Sequence, residues 1–235
     1  MKDQGSLSLR EWSAPETCTP DAIGAQGMDA RGADWSHQQL GSLDLKGAKL
    51  CRCDLRGCDL SHCELEGADL RMALYDTTTS VPDSFDLRTS GAVGPGAKLN
   101  GTYLNNTDLR GMDLRGAVFL GAYLSGADLS GAILDGVSFA GSDLRKATLR
   151  GAMCRGARFG NCEMDLADFR GADLEGASLE TVESMKGADF SLCCGLEDKL
   201  ESLLTRPIEE LDCWNPYTRA TTRTSLESLR RPTES

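Results

Sequence analysis

Histidine is nearly missing from this chain. His37 and His62 are the two it has in 235 residues, which excludes a catalytic or metal centre built on several imidazoles. No apolar run approaches the 18 or so residues of a membrane-spanning helix, so direct membrane insertion is not expected. Basic residues are outnumbered 25 to 36, leaving a net charge of −11. Nucleic-acid binders draw their affinity from Lys and Arg that neutralise phosphates, so no nucleic-acid partner is expected. Also lacking are a Gly-rich phosphate loop followed by Lys-Ser/Thr, a serine nucleophile elbow and a His-Glu-x-x-His motif. No catalytic residue, cofactor or metal is therefore expected.

What the chain does have is glycine, 26 of them, and they are spaced regularly. From Leu99 a large apolar residue recurs every five positions: Leu104, Leu109, Leu114, Phe119 and so on to Leu179. Two residues before these centres the side chain is small, as in Ala97, Ala117, Ala122 and Ala127. Two residues after them sits Gly, as at Gly101, Gly111, Gly116 and Gly121. An earlier block, Trp35 to Tyr75, keeps the same grammar in another phase. A sustained short period of this kind is the mark of a repeat architecture.

Five fits neither the 3.6 residues of a helical turn nor the alternation of a strand. A chain that turns a corner at every repeat satisfies it, with four repeats making one square coil. The centre and the small residue before it then point inward, and the other three positions face water. Coils stack about 4.8 Å apart, so roughly seven of them predict a rod of about 30 Å. Residues four repeats apart share a column, which stacks Phe119, Phe139 and Phe159 along the core.

These residues resemble the pentapeptide-repeat family, whose pattern is Ala, Asp or Asn, Leu, then two variable positions. The resemblance implies an all-β fold, a right-handed quadrilateral β-helix. It divides the chain into an N-terminal segment (1–27), a first repeat block (28–75), an inserted loop (76–96), a second block (97–190) and a cap with tail (191–235). The loop, with its Tyr75-Asp76 start and Pro82…Phe85-Asp86 core, is similar to an insertion in cyanobacterial and plant members. Val81 and Phe85 are the apolar anchors expected to fold it on one face. A one-residue slip at Val182–Gly187 reads as the end of the regular solenoid. Leu196, Leu200, Leu203 and Leu204 predict a short amphipathic α-helix that caps the open end. A second short helix is expected around Ser225–Leu229. The stretch Asn215-Pro216 followed by Thr222-Arg223-Thr224-Ser225-Leu226 resembles the tail of thylakoid-lumen members, with Arg219 where glycine is expected and no cysteine after Leu226.

Ten cysteines invite a metal or disulfide reading. Cys53, Cys58 and Cys63, however, fall on the small inward position, and Cys154 and Cys162 are core positions too. Cysteine fits such slots as a small hydrophobe. Cys193, Cys194 and Cys213 lie in the cap, where a disulfide from Cys213 to one of the other two stays open.

Outside the core, the face of Leu99 and Phe119 carries little charge. It presents Val118, Leu120, Ser138 and Ala140, with Lys98, Arg158 and Glu180 as its charges. With Val81 and Phe85 it forms the candidate partner contact. Function is then binding or structure: a protein-interaction scaffold of a photosynthetic organism, its partner a thylakoid or photosynthetic complex. The alternative is a DNA mimic that protects or inhibits a topoisomerase such as gyrase. Residues 98–180 hold 11 acidic and 9 basic side chains, and 28–75 hold 8 and 6. So near-neutral a shaft mimics poorly a duplex carrying one charge per about 1.7 Å. The resemblance implies the thylakoid lumen, although residues 1–27 read as no signal or transit peptide; cytoplasm is the other reading. The cap, with Pro207 and the residues after it, predicts a monomer rather than a dimer.

Overall fold

A computed structural model describes residues 27–230. Contacts divide the chain into two compact units, one ending at Ala97 and the other starting at Lys98.

In unit two, the second of these, parallel bridges join residues four repeats apart. They run from Lys98↔Val118, Tyr103↔Tyr123, Asp108↔Asp128 and Asp113↔Ile133 up through successive coils. Each coil thus has four sides, and each side is one pentapeptide. The bridged residue points outward; its two neighbours, such as Ala117 and Phe119, point inward and are buried. Strand alternation over three residues accounts for that. The corner is a turn closed by a hydrogen bond from Thr102 N to Leu99 O, 3.2 Å. Its third residue has positive φ, +63° at Gly101, which is why glycine recurs there. At Gly126 a Cβ would also collide with Asn106 Oδ1 of the coil below.

The core of this unit is a ladder of rings and leucines. Phe119, Phe139 and Phe159 stack with centroids 5.1 and 5.3 Å apart and planes within 11°. Phe169 and Phe190 form a further stack at 5.2 Å, which Phe159 meets edge-on. Polar hydrogens enter this core at the small inward position. Ser142 donates to Phe119 O, and Cys162 donates to Phe139 O at 2.8 Å. Each satisfies the second lone pair of a carbonyl that already accepts a turn N–H.

The slip at 182–187 is not the end of the solenoid, as its loss of period suggested. Bridges continue as Glu163↔Ser184, Asp168↔Asp189 and Asp173↔Cys194, each spanning one position more than in the coils below. Glu183 and Ser184 both direct their N–H to Cys162 O, at 2.9 and 3.4 Å. The extra residue is absorbed there as in a β-bulge, and the next corners resume. Gly195 ends the ladder; a Cβ there would collide with Glu175 N.

The cap that follows holds three short helices and a hairpin: α1 (Leu200–Leu203), α2 (Ile208–Leu211), β1 (Trp214–Asn215), β2 (Ala220–Thr221) and α3 (Thr222–Glu227). Leu196, Leu200 and Leu203 are buried, while Leu204 is half-buried. The expected single cap helix is thus one turn long, with Leu196 preceding it. α3 begins three residues before the expected Ser225 because Thr221 and Thr224 cap it reciprocally.

Polar contacts, which periodicity does not reveal, bind the cap to the slip. Arg206 donates to Val182 O and Glu183 O at 3.1 and 3.3 Å and to Glu210 Oε2 at 2.8 Å. Glu210 Oε2 also accepts Met185 N. Fully buried Asn215 donates to Gly187 O at 2.8 Å and Leu166 O at 3.3 Å, and its Oδ1 accepts Tyr217 N.

Unit one is built in the same way, with bridges from Asp29↔Lys49 to Asp54↔Leu74. The 76–96 segment is more than the surface insertion that its composition suggested. Ser80 pairs with Asp59 and Val93 with Leu74, one position more and one fewer than a regular coil spans. Its ends are therefore part of a coil, and one irregular side carries a 3₁₀ turn, Leu87–Thr89. The anchor of that side is Leu87, 8% exposed, whereas Val81 and Phe85 are half-buried. Tyr75 and Asp76 have plain roles. The Tyr75 hydroxyl donates to Pro95 O at 2.7 Å, and the Asp76 carboxylate collects the N–H groups of Gly57, Thr78 and Thr79.

Candidate interaction surface

Outward positions of unit two carry two kinds of chemistry. Many are charged, and four repeats neutralise themselves. In Asp-x-Arg triplets such as Asp108–Arg110, Asp113–Arg115, Asp143–Arg145 and Asp168–Arg170, the aspartate accepts both the arginine's backbone N–H and its guanidinium. These four pairs close within one repeat, because residues i and i+2 flank the same centre. Among the described residues of this unit, five contacts run between coils, among them Arg110 to Asp128 at 3.6 Å, Arg145 to Glu163 at 3.2 Å and Arg155 to Asp173 at 2.6 Å. The guanidinium hydrogen bonds hold the Asp113 and Asp143 carboxyls below their ordinary range.

The face of Leu99, Phe119, Phe139 and Phe159 differs. Leu120 is 45% exposed, and Val118 and Ala140 are half-buried. Ser138 is 7% exposed and does not present itself as its outward position suggested. It stands in the column between Val118 and Arg158, and larger neighbours cover so short a side chain.

Across the corner at Gly121 lies a feature the charge pattern did not flag. Tyr103 and Tyr123 are 68% and 41% exposed, with rings stacked at 4.5 Å and 4°. Their separation by four repeats, the same arithmetic that finds the phenylalanine column, was the available signal. Val118, Leu120, Tyr103 and Tyr123 therefore gather large apolar groups on two adjoining faces of neighbouring coils. Val81 and Phe85 belong to unit one and are described with it.

The cysteines offer no centre. Among the described residues none is paired in a disulfide, and no group of His, Cys, Asp and Glu is arranged to hold a metal ion. Cys193 points inward and donates to Phe169 O at 2.9 Å, Cys194 is exposed, and Cys213 Sγ lies beside Gly187. Adjacent strand residues face opposite ways, so Cys193 and Cys194 could not share a partner. Burial pushes the Cys162 thiol up to about 11 and those of Cys58 and Cys193 up to about 12. A surface depression near the end of the ladder is lined by Arg155, Asp173, Glu175, Cys194, Glu197 and Asp198. No helix of the described residues is long and apolar enough to cross a membrane.

Comparison with known proteins agrees with this geometry. The family model described as pentapeptide repeats matches eight copies, over residues 26–57, 39–73, 96–131, 122–159 and 149–182. No curated protein matches. Among solved structures, a pentapeptide repeat protein of the Arabidopsis thaliana thylakoid lumen is 26% identical, covering 57% of this chain and 90% of that one, with a TM-score of 0.39. QnrB1, a plasmid-mediated fluoroquinolone resistance protein, is 18% identical over 91% of this chain and 94% of that one, TM-score 0.44. A pentapeptide repeat protein, Rfr23, of the cyanobacterium Cyanothece 51142 is 24% identical over 44% and 79%, TM-score 0.35. With the repeat matched over more than half its length, the chain belongs to the pentapeptide repeat family of right-handed β-helices, which are typically non-catalytic structural or interaction proteins.

Proposed function

We propose that this protein is a non-catalytic scaffold that binds a protein partner through unit two, at the corner formed by Val118, Leu120, Tyr103 and Tyr123. The observation that carries this is the exposed Tyr103–Tyr123 stack beside Leu120. Tyrosine is enriched at the centres of interfaces, where it buries a large area with few torsions to freeze. The neighbouring faces are lined by paired charges that gain little from a partner. Ala140 extends the apolar surface by one coil; Ser138 fills the column without reaching solvent. The Tyr75-Asp76 segment and the Asn215-Pro216 tail support a photosynthetic host and the thylakoid lumen as its compartment. The near-neutral charge balance of the repeats speaks against the topoisomerase alternative, and Asp108, Asp113, Asp143 and Asp168 already bind arginines of their own repeat.

Site-specific photo-cross-linking tests the reading. A cross-linker at position 120 or 123 of the full chain should capture one and the same protein from host extract. The same group at position 150 should not capture it, and Leu120→Arg should abolish its reciprocal co-purification. Equal capture from positions 120 and 150 would rule the corner out.

A further inference from the structure

The bridge ladder places Lys98, Val118, Ser138 and Arg158 in one column. Two cations thus stand three coils apart, about 14 Å at ~4.8 Å per coil. Both are exposed, and neither has a carboxylate within ion-pair distance among the described residues. This is unusual in its setting: Arg110, Arg115, Arg145, Arg150, Arg155 and Arg170 of the same unit all have one. Lys146, Lys186 and Arg219 lack one as well, but none of them stands in this column. Between the two cations the surface is apolar, with Val118, Leu120 and Ala140. The first acid beside a centre of this face is Glu180, already held by Lys199 at 2.6 Å.

On a chain of net charge −11, this stripe has the reverse sign of its surroundings. We infer that the face takes an acidic peptide segment of a protein partner, with an apolar centre flanked by carboxylates spaced to reach both cations. The inference rests on the corner surface proposed above and adds the chemistry of its occupant. Carboxylates at both ends would meet Lys98 and Arg158, while the apolar centre covers Val118, Leu120 and the tyrosines. Such end charges fix register and suppress wrong partners more than they add affinity. Nucleic acid offers the charge without the apolar centre.

The test is fluorescence anisotropy on the full chain with three short synthetic peptides of equal length that share a Leu/Val centre. One ends in glutamates, one in glutamines and one in lysines. The glutamate peptide should bind at least tenfold tighter than the glutamine one, and the lysine peptide should not bind. Lys98→Glu with Arg158→Glu should reverse that order, and Leu120→Ala should weaken all binding. Binding that depends on Leu120 but not on the end charges would overturn the inference and leave the corner surface standing. Binding indifferent to Leu120 would bring down the surface itself. No binding of the glutamate peptide, or equally tight binding of duplex DNA, also overturns the inference.

Discussion

Phe139 lies between two parallel rings and is fully buried, so its removal leaves a hole that coils pinned by backbone bonds cannot close. Phe139→Ala should cost about 3–5 kcal/mol in chemical denaturation. Ala140→Ser, one residue on and outward, should stay within about 0.5 kcal/mol of wild type. Equal losses would refute the inward and outward assignment. The thiols give a second residue-level test. Cys58, Cys162 and Cys193 are shielded and held protonated by burial, and burial also raises Cys154. Desolvation and Asp173 raise Cys194 too, but it is exposed, so a thiol reagent at pH 8 should reach it in the native protein. The other four should be marked only in denaturant, as mass mapping of peptides would show. Cys162→Ser should be tolerated, because Ser142 already fills the equivalent slot one coil below.

At the level of the element, the repeat's carboxylates set the response to acid. Asp69, Asp113 and Asp143 have folded values lowered chiefly by the guanidinium two residues on. A depressed carboxyl contributes stability above its unfolded value, about 3.9, and loses it as pH falls through the folded one. Thermal melts should therefore be flat in this respect from pH 7 to about 5 and fall below about pH 4. A midpoint already dropping near pH 6 would contradict the Asp-x-Arg account. The cap makes a sharper prediction. Arg206→Ala leaves Glu210 buried without its cation and two carbonyls of the slip without a donor, at a cost of about 3 kcal/mol. Hydrogen exchange should speed up at Met185 and its neighbours while the coils around Phe139 stay protected. How the cap docks was not legible in the sequence. Leucine spacing gave Leu200 and Leu203, but Arg206, Glu210 and Asn215 act through backbone atoms that a period cannot display. The coils were legible because the centre and its small predecessor repeat in register, so that one rule fixes every side. The 76–96 segment was half legible: Ser80 and Val93 join the ladder without the residue types that announce it elsewhere.

For the whole molecule, charge and association are linked. The net charge of −11 is not all bare carboxylate, since Asp108, Asp113, Asp143 and Asp168 are each covered by an arginine. Leu196, Leu200 and Leu203 are buried, and we propose that they cover the last coil of unit two, whose open edge would otherwise recruit another chain. We therefore expect a monomer, and light scattering at two concentrations measures it. A stable mass near twice 25.2 kDa would refute the cap's role. Leu200→Glu should then cause aggregation by uncovering the edge, whereas in a dimer the same change should yield soluble single chains.

The Asp-x-Arg triplet has one more consequence, and it concerns how such a chain grows. Where a repeat carries the triplet, its aspartate finds its counter-ion two positions away, so that repeat is electrically complete on its own. Copying four repeats returns every column to register, and the triplets among them bring their counter-ions along. Lineages can thus lengthen or shorten the protein by copying whole turns of sequence without separating these pairs.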